Sequence, residues 1–226
     1  MGNKTTSSGG NGGDIIETQQ KNNICQIYLK YKDMITGIAN GFFCMFPYPD
    51  KSHFIPVLVC VHRSLNENNL ILNSEIELTL ENDKKKKIIK LDKKRKVYIN
   101  QKLDVTVIEI RPKTDKIESF LELDSNLDSQ DLKSTFMQTK LYFICYGGQN
   151  KMDKFTGNIK NIEGETIYYM SDIASGSGGC PIMNSSNHKV IGVHLGRTPH
   201  EYKKGLILKS ALEEFSSGKF NTLKEE

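Results

Sequence analysis

Several things are missing from this chain of 226 residues, and each absence excludes something. It has no apolar run of eighteen residues, the length a membrane-crossing helix needs, and no apolar core of a secretory signal near its start. A chain that folds in the cytoplasm is therefore expected. No Cys/His pair has zinc-finger spacing, so no metal is expected. No Gly-x-Gly-x-x-Gly or Walker pattern occurs, Tyr146-Gly147-Gly148 reading as a turn after a strand, so no nucleotide or other cofactor is expected. The five cysteines, Cys25, Cys44, Cys60, Cys145 and Cys180, are odd in number and each lies in or beside an apolar stretch. They read as reduced, buried thiols rather than as a disulfide framework. The net charge of +4 is too mild to argue for nucleic acid.

Helix-period patterns are also scarce, confined to short stretches near 130–137 and 209–215. What fills the chain is β after β. Candidate strands cover 24–31, 41–46, 54–61, 75–80, 87–91, 104–110, 141–146, 155–162, 166–170, 181–184, 190–194 and 205–208. They are rich in β-branched and aromatic residues and are separated by Asn/Asp/Gly/Lys turns. Glu75-Ile76-Glu77-Leu78-Thr79-Leu80 alternates as a strand with one wet face does, whereas 57–61 and 105–108 are apolar on nearly both faces and should be central. An all-β sandwich or pair of barrels follows, closed by a helix carrying Leu212 and Phe215 on one face and ending at Ser216-Ser217-Gly218. The domain is expected over 23–218, with a flexible tail at 1–22 and a polar tail at 219–226.

Met1-Gly2-Asn3-Lys4-Thr5-Thr6 fits Met-Gly-x-x-x-Ser/Thr, the pattern in which methionine removal exposes the Gly2 amine to N-myristoylation. The Gly/Ser/Thr/Asn-rich stretch through Gln20 carries too little apolar surface to order itself and would act as a tether. One acyl chain gives only marginal membrane binding, so a second signal is required. Lys84-Lys85-Lys86-Lys87 with Lys90, Lys93, Lys94, Arg95 and Lys96 is the candidate. That stretch reads either as a solvated sheet edge protected by lysines or as a contact with an anionic membrane surface.

The most distinctive stretch is Ser175-Gly176-Ser177-Gly178-Gly179-Cys180-Pro181-Ile182, followed by Lys189-Val190-Ile191-Gly192-Val193-His194. Glycine-rich bends let backbone N–H groups approach a bound group closely. The pattern resembles the nucleophile loop of the trypsin/chymotrypsin-like serine peptidases, Gly-x-Ser-Gly-Gly-Pro. Three further stretches carry the same resemblance in the same order: Ala39-Asn40-Gly41-Phe42-Phe43-Cys44, Pro56-Val57-Leu58-Val59 before a histidine, and Leu103-Asp104-Val105-Thr106-Val107-Ile108. The resemblance spans about 24–215 and implies two packed six-stranded antiparallel barrels, with triad members met in the order histidine, aspartate, serine. It implies Asp104 as the acid, and amides of Gly176 and Gly178 as an oxyanion hole.

The other two positions admit two readings. Counting three back from Pro181 puts Gly178, without a side chain, at the nucleophile, and keeping Leu65 in its family place puts Arg63 at the histidine. Arginine stays protonated and cannot act as a base. Ser177 and His62 would serve only if each bend carried a one-residue irregularity. Cys180 reads as a packed small residue. His53, His188 and His200 read as loop residues and His194 as structural. The expectation is a catalytically inactive homologue, tethered by its N-terminus and holding a peptide or protein in its cleft. The alternative is an active endopeptidase using Ser177, His62 and Asp104.

Overall fold

The computed structural model describes residues 17, 19–31, 34–80, 86–147 and 151–225. Gly2, Lys84 and Lys85 therefore lie outside the described residues. Seven strands, β1 (Ile24–Tyr31), β2 (Met34–Pro47), β3 (Phe54–Cys60), β4 (Glu75–Leu80), β5 (Lys87–Lys90), β6 (Val97–Asn100) and β7 (Val105–Glu109), form one sheet in the order β5-β4-β1-β2-β3-β7-β6. Six more, β8 (Lys140–Tyr146), β9 (Met152–Glu163), β10 (Thr166–Ser171), β11 (Pro181–Asn184), β12 (Val190–Arg197) and β13 (Lys203–Ile207), close into a barrel. The expected all-β architecture of two packed halves is present, one of them a closed six-stranded barrel. The first half, however, is a curled seven-stranded sheet whose edge strands β5 and β6 are not hydrogen-bonded to each other.

Side-chain alternation explains why some strands read as apolar on both faces. On β3, Leu58 and Cys60 point into the core of the first sheet, while Val57 and Val59 point into a second core shared between the two halves. β3 is central, paired with β2 and β7. β8 does the same from the other side: Phe143 and Cys145 fill the barrel interior and Tyr142 and Ile144 enter the shared core. These three layers of buried apolar side chains are the dominant stabilising term. All five cysteines are free and buried. Cys44 and Cys60 alternate off opposite cores and are not joined.

Helix α1 (Pro112–Asp115) and helix α2 (Leu132–Phe136) are short connectors, and α3 (Lys209–Ser216) buries Ala211 and Phe215. The Phe215 ring meets Phe46 at 5.5 Å and Phe220 at 5.1 Å, edge to face. Residues after α3, expected as a polar tail, run back along the first sheet: Asn221 donates to Val97 O at 2.7 Å, and Leu72 donates to Lys224 O at 2.8 Å. At the other end Gln20 is buried and accepts from Tyr142 Oη at 2.9 Å.

The basic stretch occupies the sheet edge at β5 and the turn before β6. Lys86 pairs with Glu77, Lys90 with Glu75 at 3.5 Å and Lys93 with Glu225 at 3.3 Å. Arg95, counted from sequence with that surface, is instead buried, with two bonds to Asp115 at 2.7 and 3.0 Å. Among the described residues no helix is long and apolar enough to cross a membrane.

Candidate functional site

The glycine-rich loop lies between β10 and β11 on the seam between sheet and barrel. Its shape is set by two left-handed residues, Gly176 at φ +85° and Gly179 at φ +95°. A Cβ on Gly179 would stand 2.1 Å from the carbonyl oxygen of Asn40, so the loop packs against β2 at a distance only glycine permits. The Asn40 side chain completes the joint. Its amide nitrogen donates to Gly176 O at 3.1 Å, and its oxygen accepts from Tyr146 N at 2.9 Å, so one side chain ties β2 to the loop and to β8. In the sequence Asn40 stands within the Ala39–Cys44 motif, and nothing there marks it as this joint. Among the described residues nothing accepts a hydrogen bond from the backbone N–H of Gly176, Ser177 or Gly178.

Opposite the loop stand the end of β3 and the start of β7. Asp104 has φ +54°, a left-handed conformation that aspartate tolerates, and this turns its carboxylate back toward residue 63. Arg63 N donates to Asp104 Oδ1 at 3.0 Å, and the Arg63 guanidinium pairs with Oδ2 through Nη1. Nη2 donates to the carbonyl of Leu195 on β12. A Cβ on Gly178 would lie 3.0 Å from Nη2. Asp104, Arg63 and Gly178 thus converge in space, each contributed by a different element.

His62 and Ser177 do not join them. His62 Nε2 lies 3.0 Å from Glu67 Oε2, and its link to Asp104 runs only through backbone, His62 N donating to Asp104 O at 3.2 Å. Both residues lie in a turn after β3, closed by Ser64 N and Leu65 N donating to Val61 O at 3.1 and 3.2 Å, and within it the Arg63 side chain goes to Asp104 while the His62 ring goes to Glu67. Ser177 is 1% exposed and donates through Oγ to Ala174 O at 2.5 Å. Cys180 is fully buried, and burial together with the neighbouring Cys145 pushes its thiol well above its ordinary range. None of the three offers an activated nucleophile or base in this geometry.

Between loop and β12 is a cavity of about 350 Å³, bounded by Arg63, Ser175–Gly178, His194, Arg197 and Lys203 among others. Burial, then the charges of Lys203 and Arg63, press the His194 imidazole down to about 3, against a weaker backbone bond to Lys204, so it is neutral at pH 7. Tyr169 Oη bonds its Nδ1 from inside the barrel. The sequence reading of His194 as structural omitted that it lines this cavity. Among the described residues no group of three His, Cys, Asp or Glu side chains is arranged to hold a metal.

No family model and no curated protein matches the chain. Solved structures do match in architecture. A serine endoprotease from Yersinia pestis superposes with a TM-score of 0.66 at 10% identity, covering 96% of this chain and 70% of that one. The Rv3671c protease in an inactive form gives 0.60 at 12% identity, covering 97% of this chain and 100% of that one. A serine-to-alanine variant of Rv3671c from M. tuberculosis H37Rv, also inactive, gives 0.57 at 11% identity, with 96% of each chain covered. The chain has the trypsin-like serine protease fold. At such identities the agreement lies in the course of the backbone. Within the trypsin-like frame the residues gathered at the seam are Asp104, Arg63, Gly176 and Gly178, with His62 and Ser177 pointing elsewhere.

Proposed function

We propose that this chain is a trypsin-like protease homologue that does not hydrolyse peptides and acts as a binding module, holding a peptide or protein segment in the cleft beside Gly176–Gly178. The observation that carries this reading is the guanidinium of Arg63 beside Asp104, facing a Gly178 that has no side chain. Acyl transfer needs a hydroxyl whose proton passes to an imidazole held by a carboxylate. A guanidinium keeps its proton at any accessible pH, and glycine offers no oxygen. The unbonded amides of Gly176 and Gly178 are left as donors for a bound carbonyl or carboxylate, which supports binding without turnover. Loss of triad members leaves roughly 10³ to 10⁴ over water, several orders below an intact enzyme.

The test is turnover of a quenched-fluorescence peptide library by purified protein. Activity indistinguishable from buffer, and unchanged in Ser177→Ala, fits the proposal. Hydrolysis abolished by Ser177→Ala means that Ser177, His62 and Asp104 form a working triad in solution.

The sequence motif at Gly2 supports a second part of the reading, attachment to an anionic membrane surface by an acyl chain working with the lysines of the β5 edge. Gly2→Ala is expected to move the protein from the membrane pellet to the supernatant. Equal partition of variant and parent would sink this part and leave the cleft reading untouched.

A further inference from the structure

Lys203 is a lysine near the start of a strand and nothing in its neighbours along the chain marks it. The fold places it at 5% exposure in the wall of the cleft cavity, where its ammonium donates to Ile173 O at 3.1 Å. An ammonium has three donors and a full charge to satisfy. Among the described residues no carboxylate lies within ion-pair distance of it. A buried cation without an anion costs several kcal/mol, and native structures rarely leave one so. Burial and Arg197 lower its proton affinity, and Asp172 opposes this from a distance.

The surroundings repeat the sign. Arg197, exposed, and Arg63 bound the same cavity, and no Asp or Glu lines it. Arg63 is partly neutralised by Asp104, but its guanidinium has five N–H donors, two of which serve Asp104 and Leu195 O. Its Nη2 lies 3.0 Å from where a Cβ on residue 178 would stand, so the guanidinium is held close against the glycine-rich loop. The amides of Gly176, Ser177 and Gly178 add donors that no protein acceptor meets among the described residues. His194, the remaining ionisable group of the wall, is neutral. Three cations, a row of free amides and no anion make a cavity that lacks a negatively charged occupant.

We propose that this cavity is a carboxylate-binding site, and that the peptide taken by the cleft presents there an acidic side chain or its own C-terminal carboxylate, held by Lys203, Arg197, Arg63 and the amides of the glycine-rich loop. This rests on the binding-module reading and names its ligand class. Both sources of the group share one chemistry, a planar anion that accepts several N–H bonds at once.

The experiment is an NMR titration of the full ¹⁵N-labelled chain, read at the amides of Gly176, Ser177 and Gly178. Three N-acetylated, C-amidated hexapeptide libraries are used, alike except for one fixed Glu, Gln or Lys, and a fourth library without acidic residues but with a free C-terminal carboxylate. A carboxylate-bearing library is expected to shift these amides at a concentration at least about tenfold lower than the Gln library, since hydrogen bonds to charged groups are the stronger ones. Preference for the Glu library identifies a side chain, and preference for the free-acid library identifies a chain terminus. Lys203→Met should erase the preference while the melting temperature holds or rises, because a desolvated charge has been removed. Arg197→Gln, at an exposed position, should weaken it several-fold without any effect on folding. Equal shifts with Glu, Gln and free-acid libraries would overturn the carboxylate proposal and leave peptide binding standing. Absence of any shift with all four would overturn the binding reading and this inference together.

Discussion

At the scale of single residues, the cleft depends on positions whose residue type is set by close backbone approach and burial. Gly179 has no freedom to change: a methyl group there meets the Asn40 carbonyl at 2.1 Å on a left-handed backbone. Gly179→Ala should cost more than about 2 kcal/mol, seen as a lowered urea midpoint with unchanged slope. His194 gives a pH signature. Its imidazole sits near 3 in the folded chain against 6.5 when free, so the unfolded state binds the proton first as pH falls. Stability is complete above about pH 6.5 and falls by about 1.4 kcal/mol per pH unit below it until near pH 3. Urea midpoints taken at about pH 7.5 and about pH 5.5, a window above most carboxylate titrations, should drop in the parent and drop much less in His194→Gln. Equal drops would mean that another group carries the acid sensitivity.

At the scale of elements, Arg95 is the clamp of the first sheet. It donates to Lys90 O at the end of β5 at 2.8 Å, to Glu109 O at the end of β7 at 2.7 Å, and to Asp115 in α1. Arg95→Ala leaves the Asp115 carboxylate buried without its cation and should cost about 3–5 kcal/mol, whereas Arg95→Met with Asp115→Leu should recover much of it. Equilibrium unfolding of the two variants decides this. The strands were largely legible, because burial on one or two faces writes a period into the sequence. β1, β4 and β11 have the expected bounds. β6 is not among the expected strands, since Val97-Tyr98-Ile99-Asn100 follows a run of basic residues and its pairing with β7 is fixed by tertiary structure. β2 starts earlier than expected because its first residues, Met34 and Ile35, are exposed and carry no burial pattern.

At the scale of the whole molecule, the two halves meet in a shared apolar core, and the seam between them is aligned by Asn40. Asn40→Ala removes polar links from β2 to Gly176 O and Tyr146 N and should cost about 1–3 kcal/mol. It should also broaden the amide signals of 175–180, which an isolated loss of stability would not do. The glycine-rich loop is visible in the sequence itself, whereas Asp104, Arg63 and Gly178 are singled out only by the resemblance to the trypsin-like pattern, counted from Leu65 and Pro181. Lys203 and Arg197 are marked by neither. They enter the cavity only because β12 and β13 fold back beside the loop, a pairing that no local pattern encodes.

The most direct measurement is intact-mass analysis after exposure to a fluorophosphonate, which loses fluoride and phosphonylates a serine only when an imidazole removes the hydroxyl proton. The account predicts no adduct on the parent protein. It predicts one adduct, at position 178, on the Arg63→His/Gly178→Ser double variant, where the backbone of residue 178 is not left-handed and the guanidinium no longer crowds the added side chain. An adduct on Ser177 of the parent would contradict it.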